Sequence, residues 1–443
     1  MTTGGRSARD LAPVSALPQW YFAVAHVAFA SALGVLLVDP ELAAGTFNHP
    51  KVIALVHLLT VGWLTGSILG AFYIVAPLAL GMPMRVTAID WVGFGCFAAG
   101  AAGMVSHFWI ATYDGMAWSA ILVVAAVGLV GGRAARRARG TAVAVPVWLH
   151  LGLAFFNFMA AAGFGILIGF DKSRGTLGLS SMTATYAHAH LAAVGWVLLM
   201  VIGMAYRLIP MMLPAAIPAG RALYVSALAI EAGLVVLFIA LLGGGGLLPA
   251  GAALIACGIV SFVLQVRGIL KTRKPRPPAL PRPDWSTRQT HVALMWLLVA
   301  LGCGLALTVT EYGESHTTVA WVYGVAGLVG FLAQMVSGVQ GRIVPWYAWY
   351  RAQEALAGQT PAIAANALPS AAHARATFAG WTIGVPALAA GLAGGHHVLV
   401  RLGALCLLAG VVTGALHMRH MLRRARAIHA IFRPSAVPGE GQQ

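Results

Sequence analysis

The chain has 443 residues, of which 59% are hydrophobic and 9% charged, with a formal net charge of +16. So little charge excludes an ordinary soluble domain and points to a polytopic helical protein in a lipid bilayer. The basic residues cluster in short segments between apolar runs, where the bias of lysine and arginine toward the cytoplasm explains them, so no nucleic acid is expected as a partner.

The polar first residues lead straight into a full-length span, so no cleaved signal peptide is expected. Apolar runs able to cross a hydrocarbon core of about 30 Å fall near 19–38, 51–80, 88–111, 116–132, 145–170, 182–209, 222–243, 247–269, 289–309, 318–345, 376–393 and 397–418. Alternate connections are basic: 131–140, 267–288 and the tail after His417. Those between are short and carry Asp39, Glu41, Asp114, Asp171, Glu311 and Glu314. Twelve spans with this asymmetry place both termini in the cytoplasm of a bacterial-type inner membrane. Two longer cytoplasmic connections are expected, 270–288, with a proline-rich linker at 274–284, and 346–375, with a short interfacial helix. Cys96, Cys257, Cys303 and Cys406 are dispersed and show no C-x-x-C spacing, which supports neither a disulfide, a zinc centre nor covalently attached haem.

The chain repeats itself. The second span runs from His57 through Gly62 and Trp63 to Pro77, and the sixth from His190 through Gly195 and Trp196 to Pro210. The tenth runs from Val325 through Gly330 and Phe331 to Pro345 with the same spacing. Copies four spans apart predict one all-α membrane domain of twelve transmembrane helices, in three four-helix arcs (roughly 19–132, 145–269 and 289–418) with pseudo-threefold symmetry. Glycine lets neighbouring helices approach, and proline is expected to mark the helix end.

His57, His188 and His190 fall in the outer third of their spans, and an ionisable side chain there is a functional-site candidate. Residues two apart on an α-helix point roughly 200° apart, at about 100° per residue. His188 and His190 therefore face different centres on opposite sides of the helix. For His57 and His190, which hold the same place in neighbouring copies, three readings are open: ligands of a haem iron, ligands of another metal, or a helix–helix hydrogen bond. His188 faces a second haem or copper, or caps a polar cavity. The third copy carries Tyr323 and Val325 at these places. His26, His150 and His291 read as packing histidines satisfied by backbone carbonyls, and His396 and His397 as solvated. Arg207 and Arg342, each three residues before its proline, read as snorkelling anchors. Glu231 is the clearest carboxylate within a span and a candidate proton relay.

Twelve spans in three arcs and the pattern H-A-H-x4-G-W-x9-Y-x2-I-P of the sixth span, His188 to Pro210, resemble the catalytic subunit of the haem-copper oxidase superfamily. The length and the repeated His, Gly-aromatic, Pro helices are similar to the NnrS-type twelve-span haem proteins associated with nitric oxide stress. The resemblance implies haem b, in one or two copies. It implies that His57 and His190 form a low-spin axial pair and that His188 binds the iron of a second haem. It also implies electron transfer, or chemistry of nitric oxide or oxygen, with electrons supplied by a protein or a quinone. The seventh span carries no histidine for a copper site and no H-x-x-x-Y motif occurs, so the chain reads as a divergent member without copper motifs. The alternatives are a true terminal oxidase or nitric oxide reductase subunit, which would be an oxidoreductase, and a cofactor-free transporter or structural subunit. The threefold repeat differs from the inverted or twofold repeats common in transporters.

Overall fold

The computed structural model describes residues 11–44, 47–138, 141–179, 182–244, 246–275, 283–356, 359–361 and 363–431. Twelve helices are long and apolar enough to cross a membrane, and the described residues contain no strand. Unpaired backbone amides and carbonyls are too costly in hydrocarbon, which leaves the helix as the form such runs take. The helices are α1 (Leu17–Val38), α2 (Pro50–Leu80), α3 (Ala88–Trp109), α4 (Met116–Ala138), α5 (Val145–Arg174) and α6 (Met182–Met212). They continue as α7 (Ala222–Leu242), α8 (Leu248–Lys271), α9 (Trp285–Leu307), α10 (Glu314–Ala355), α11 (Ala371–Ala393) and α12 (His397–Ile431). Both ends of the described chain meet at one end of the bundle. There Tyr347 Oη donates to the Ser15 carbonyl (2.6 Å), and Phe22 packs with Met421 and Ala425. This is the terminal end, and the other is the far end.

Pro77 and Pro210 stand three and two residues before the ends of their helices, but Pro345 does not mark the end of its own. Pro77, Pro210 and Pro345 lie inside α2, α6 and α10, and α10 continues to Ala355. Packing overrides the local signal: Tyr347, Ala348 and Ala352, beyond the proline, are buried in a cluster with Ile74 and Leu208. The connection expected at 346–375 shrinks accordingly, and its only further helical piece among the described residues is the short 3-10 turn Ala365–Ala367. Most of the proline-rich linker, 276–282, lies outside the described residues, as do the first ten residues.

Each repeat helix widens at the same place. π-helical stretches occupy Leu58–Thr65 in α2, Leu191–Leu198 in α6 and Val325–Ala333 in α10, and each touches the other two. At their glycines a Cβ would collide with Ala28 of α1, Asn157 of α5 and Trp296 of α9, so each repeat helix is seated closely on the helix before it. The remaining helices pair as hairpins, α3 with α4, α7 with α8 and α11 with α12.

Four hydrogen bonds between the repeat helices follow one positional rule. Trp196 Nε1 donates to Thr65 Oγ1 (3.1 Å) and Trp63 Nε1 to the Ala333 carbonyl (3.4 Å). Both acceptors stand eight residues after the first position of their copy. Arg207 Nε donates to the Ala79 carbonyl and Arg342 Nη2 to the Met212 carbonyl, both at 3.0 Å. These acceptors both stand twenty-two residues after the first position. The two arginines thus close the last carbonyls of a neighbouring helix, where positive charge is favoured, and are not simply anchors reaching for head groups. Arg342 also pairs with Asp284 (2.9 Å).

At the terminal end a buried ion pair ties the α2–α3 turn to α4. Asp90, fully buried, pairs with Arg133 and accepts from Tyr73 Oη (2.8 Å) and the Thr87 amide (2.7 Å). Arg133 also donates to the Arg85 carbonyl (2.7 Å), so both charges are hydrogen-bonded within the protein, while Arg133 Nε is buried without a partner.

Candidate functional site

His57 and His190 are the last residues of ordinary α-helix before the π-helical stretches of α2 and α6. Both make the same bond, as equal positions require. His57 Nδ1 donates one turn back to the Ile53 carbonyl, and His190 Nδ1 to the Tyr186 carbonyl, each at 2.8 Å. His188 differs. Its Nδ1 donates across to the Ala161 carbonyl of α5 (3.0 Å), and its ring lies against Gly165, where a Cβ would come within 2.7 Å of Cε1.

The structure brings His57 and His188 together. Their ring centroids are 6.3 Å apart and their planes are within 15° of parallel. Neither Nε2 has a hydrogen-bond partner among the described residues, and the Phe108 ring lies 4.6 Å from that of His57. His190 faces the other way, as the two-residue spacing predicts. Its ring lies 5.9 Å from that of Tyr323 on α10, at 21°, and its Nε2 accepts from Tyr323 Oη (3.0 Å). In both pairs the first position of one copy meets the position two residues earlier in the next copy. His57 and His190 are therefore equivalent without being opposed. The structure brings His57 against His188 rather than against His190, because each of these repeat helices turns its first position toward the position two residues earlier in the next copy. The corresponding residues for a third pair, Val325 and Leu55, carry no ring.

Around this pair, Asn157 stands one helical turn along α5 from Ala161 and donates to Glu231 Oε2 (2.7 Å). Toward the far end, Lys172 Nζ donates to Asn48 Oδ1 (2.6 Å) and lies over the Tyr113 ring, and Lys51 lies over Trp109. The other histidines are mostly satisfied elsewhere. His26 Nδ1 bonds the Phe22 carbonyl (2.7 Å), and His150 bonds the Pro146 carbonyl (2.7 Å) and Ser226 Oγ (3.0 Å). His291 and His396 are exposed.

Sequence reasoning missed Gly165 and Asn157, which nothing in their own helix singles out. Tyr323 was visible in the repeat alignment, though only as a residue replacing a histidine. Among the described residues no group of three or more His, Cys, Asp or Glu is placed to hold a metal ion. Two imidazoles with anchored Nδ1 and open Nε2 instead suit an iron that arrives with its other ligands in a macrocycle. No protein-family model matches the chain, and no curated protein matches its sequence.

Proposed function

We propose that the chain is a haem b-binding membrane protein, that it serves electron transfer or the chemistry of a small gas such as nitric oxide or oxygen, and that His57 and His188 are its axial ligands. The supporting observation is the geometry of that pair. Two imidazoles bound through Nε2 to one metal at about 2 Å each, on opposite sides, have ring centroids about 6 Å apart. The observed separation is 6.3 Å. When bound, the group would supply a one-electron iron centre. The chain's own residues would orient it. The Ile53 and Ala161 carbonyls fix the tautomer and direction of each ring. Lys51 and Lys172 would offer cations toward the far end for the group's carboxylates, and Glu231, held through Oε2 by Asn157, would be the carboxylate to take up a proton. His190 Nε2 is engaged by Tyr323, which favours one haem over two.

In this reading the three helix sets form three arcs about a pseudo-threefold axis, supported by the positional rule of the tryptophan and arginine bonds. Arg136, Arg137, Lys271, Arg423 and Arg424 lie at the terminal end, which favours a cytoplasmic location for both termini in a bacterial-type inner membrane. Electrons would come from a protein or a quinone.

A second reading, a cofactor-free structural or transport protein, draws on the His190–Tyr323 bond, which is of the kind that joins membrane helices. The absorbance spectrum of the purified protein, reduced with and without carbon monoxide, separates the two. A six-coordinate haem b spectrum is expected, unchanged by carbon monoxide for a pure electron carrier and altered by it for a centre that takes up a gas, and no Soret band in protein from haem-replete cells would favour the second reading.

A further inference from the structure

Away from the histidine pair, α9, α10, α11 and α12 enclose a cavity of about 30 Å³ near the terminal end. Its walls include Ser286, Gln289, Ser337, Gln340, Thr377 and His417. So many polar side chains inside apolar spans need partners, yet several have none. Gln289 Nε2 and Thr377 Oγ1 are buried and unbonded, in residues only 2% and 7% exposed. Deeper in the membrane the pattern continues. Gln334, one turn from Ser337 along α10, is fully buried with neither amide atom bonded, and Trp381, one turn from Thr377 along α11, has an unbonded Nε1. Polar atoms left bare in hydrocarbon are costly, and those that protein does not pair are paired by water.

The size fits. A water needs about 10–15 Å³ of such space and two to four polar partners. The walls contain no carboxylate, so a metal cation would find no compensating charge there, and a neutral ligand is favoured. Polar side chains also continue from the cavity toward the terminal end. His417 Nε2 accepts from the Ser370 amide (3.0 Å), and its ring lies 5.9 Å from that of His373, which lies 5.6 Å from that of His420. These three histidines lead from the cavity to the terminal end.

We propose that α9–α12 hold a chain of ordered water from the His373, His417 and His420 cluster, past Gln289 and Thr377, to Gln334 and Trp381. It gives water, and the protons water carries, access to the middle of the membrane. It stands apart from the histidine pair and from any cofactor there.

Radiolytic hydroxyl labelling of the full-length protein, read residue by residue by mass spectrometry, tests this, because buried side chains are labelled only where water lies beside them. Trp381 and Met421, which are 0% and 2% exposed, should be labelled several-fold faster than the controls Trp196 and Met200, both 2% exposed. Trp196 is bonded to Thr65, and Met200 lines an apolar cavity that shares only Gln340 with this one. In Gln289→Leu/Thr377→Val the labelling of Trp381 should fall to that of Trp196. Wild-type Trp381 labelled no faster than Trp196 would overturn the proposal, and needs no variant. Unchanged Trp381 labelling in a folded double variant would overturn the route past these two residues.

Discussion

His57 and His188 stand with ring centroids 6.3 Å apart and planes 15° from parallel, each with Nδ1 on a backbone carbonyl. The relationship recurs between His190 and Tyr323 at 5.9 Å and 21°. One backbone arrangement thus presents two different chemistries. The first pair leaves two nitrogens open, and the second closes on itself through a hydrogen bond.

Gly165 makes the space in which His188 lies. Gly165→Ala places a Cβ within 2.7 Å of that ring, so the ring must move. The expected outcome is a several-fold lower haem content in purified protein, with the fold retained by circular dichroism. Gly163→Ala, with nothing within 4 Å of its Cβ, is the control. It should keep full haem content and gain about 0.5–1 kcal/mol from helix propensity. Equal haem content in both variants would detach Gly165 from the site.

Tyr323→Phe removes the donor to His190 Nε2 and leaves a half-buried nitrogen without its partner. A loss of about 1–2 kcal/mol in thermal unfolding in detergent is expected, with the absorbance spectrum unchanged. A changed spectrum would bring the His190 side into the centre.

The Asp90–Arg133 pair is buried and hydrogen-bonded on both sides. Removing one partner, as in Arg133→Met, leaves an uncompensated charge and should cost about 3–5 kcal/mol. Asp90→Leu/Arg133→Met should recover much of that. Equal destabilisation by the single and double variants, measured by denaturant titration, would show that the charge imbalance is not the cause. Haem content should stay unchanged in all of them.

Helix number and the two-faced H-A-H strip were legible in the sequence because both depend on properties local to one helix, apolar length and angular spacing. The matched Gly and Trp positions were legible too, and they coincide with the π-helical stretches. What His57 faces was not legible, since the partner of a side chain depends on how neighbouring helices are rotated. The same holds for Arg207 and Arg342, whose acceptors are main-chain carbonyls and leave no mark in residue identity. Pro345 misled because the packing of Tyr347 and Ala352 behind it outweighs its local effect. Gln289, Gln334 and Thr377 look unremarkable singly, and only the packing of α9 to α11 gathers them.

His57 and His188, and not His190, are proposed to hold the iron. The most direct measurement is the reduced absorbance spectrum and haem content of His57→Ala, His188→Ala and His190→Ala, purified in parallel. The first two are expected to lose the six-coordinate spectrum or the haem itself, while His190→Ala keeps both. Loss in His57→Ala and His190→Ala with retention in His188→Ala would contradict that assignment.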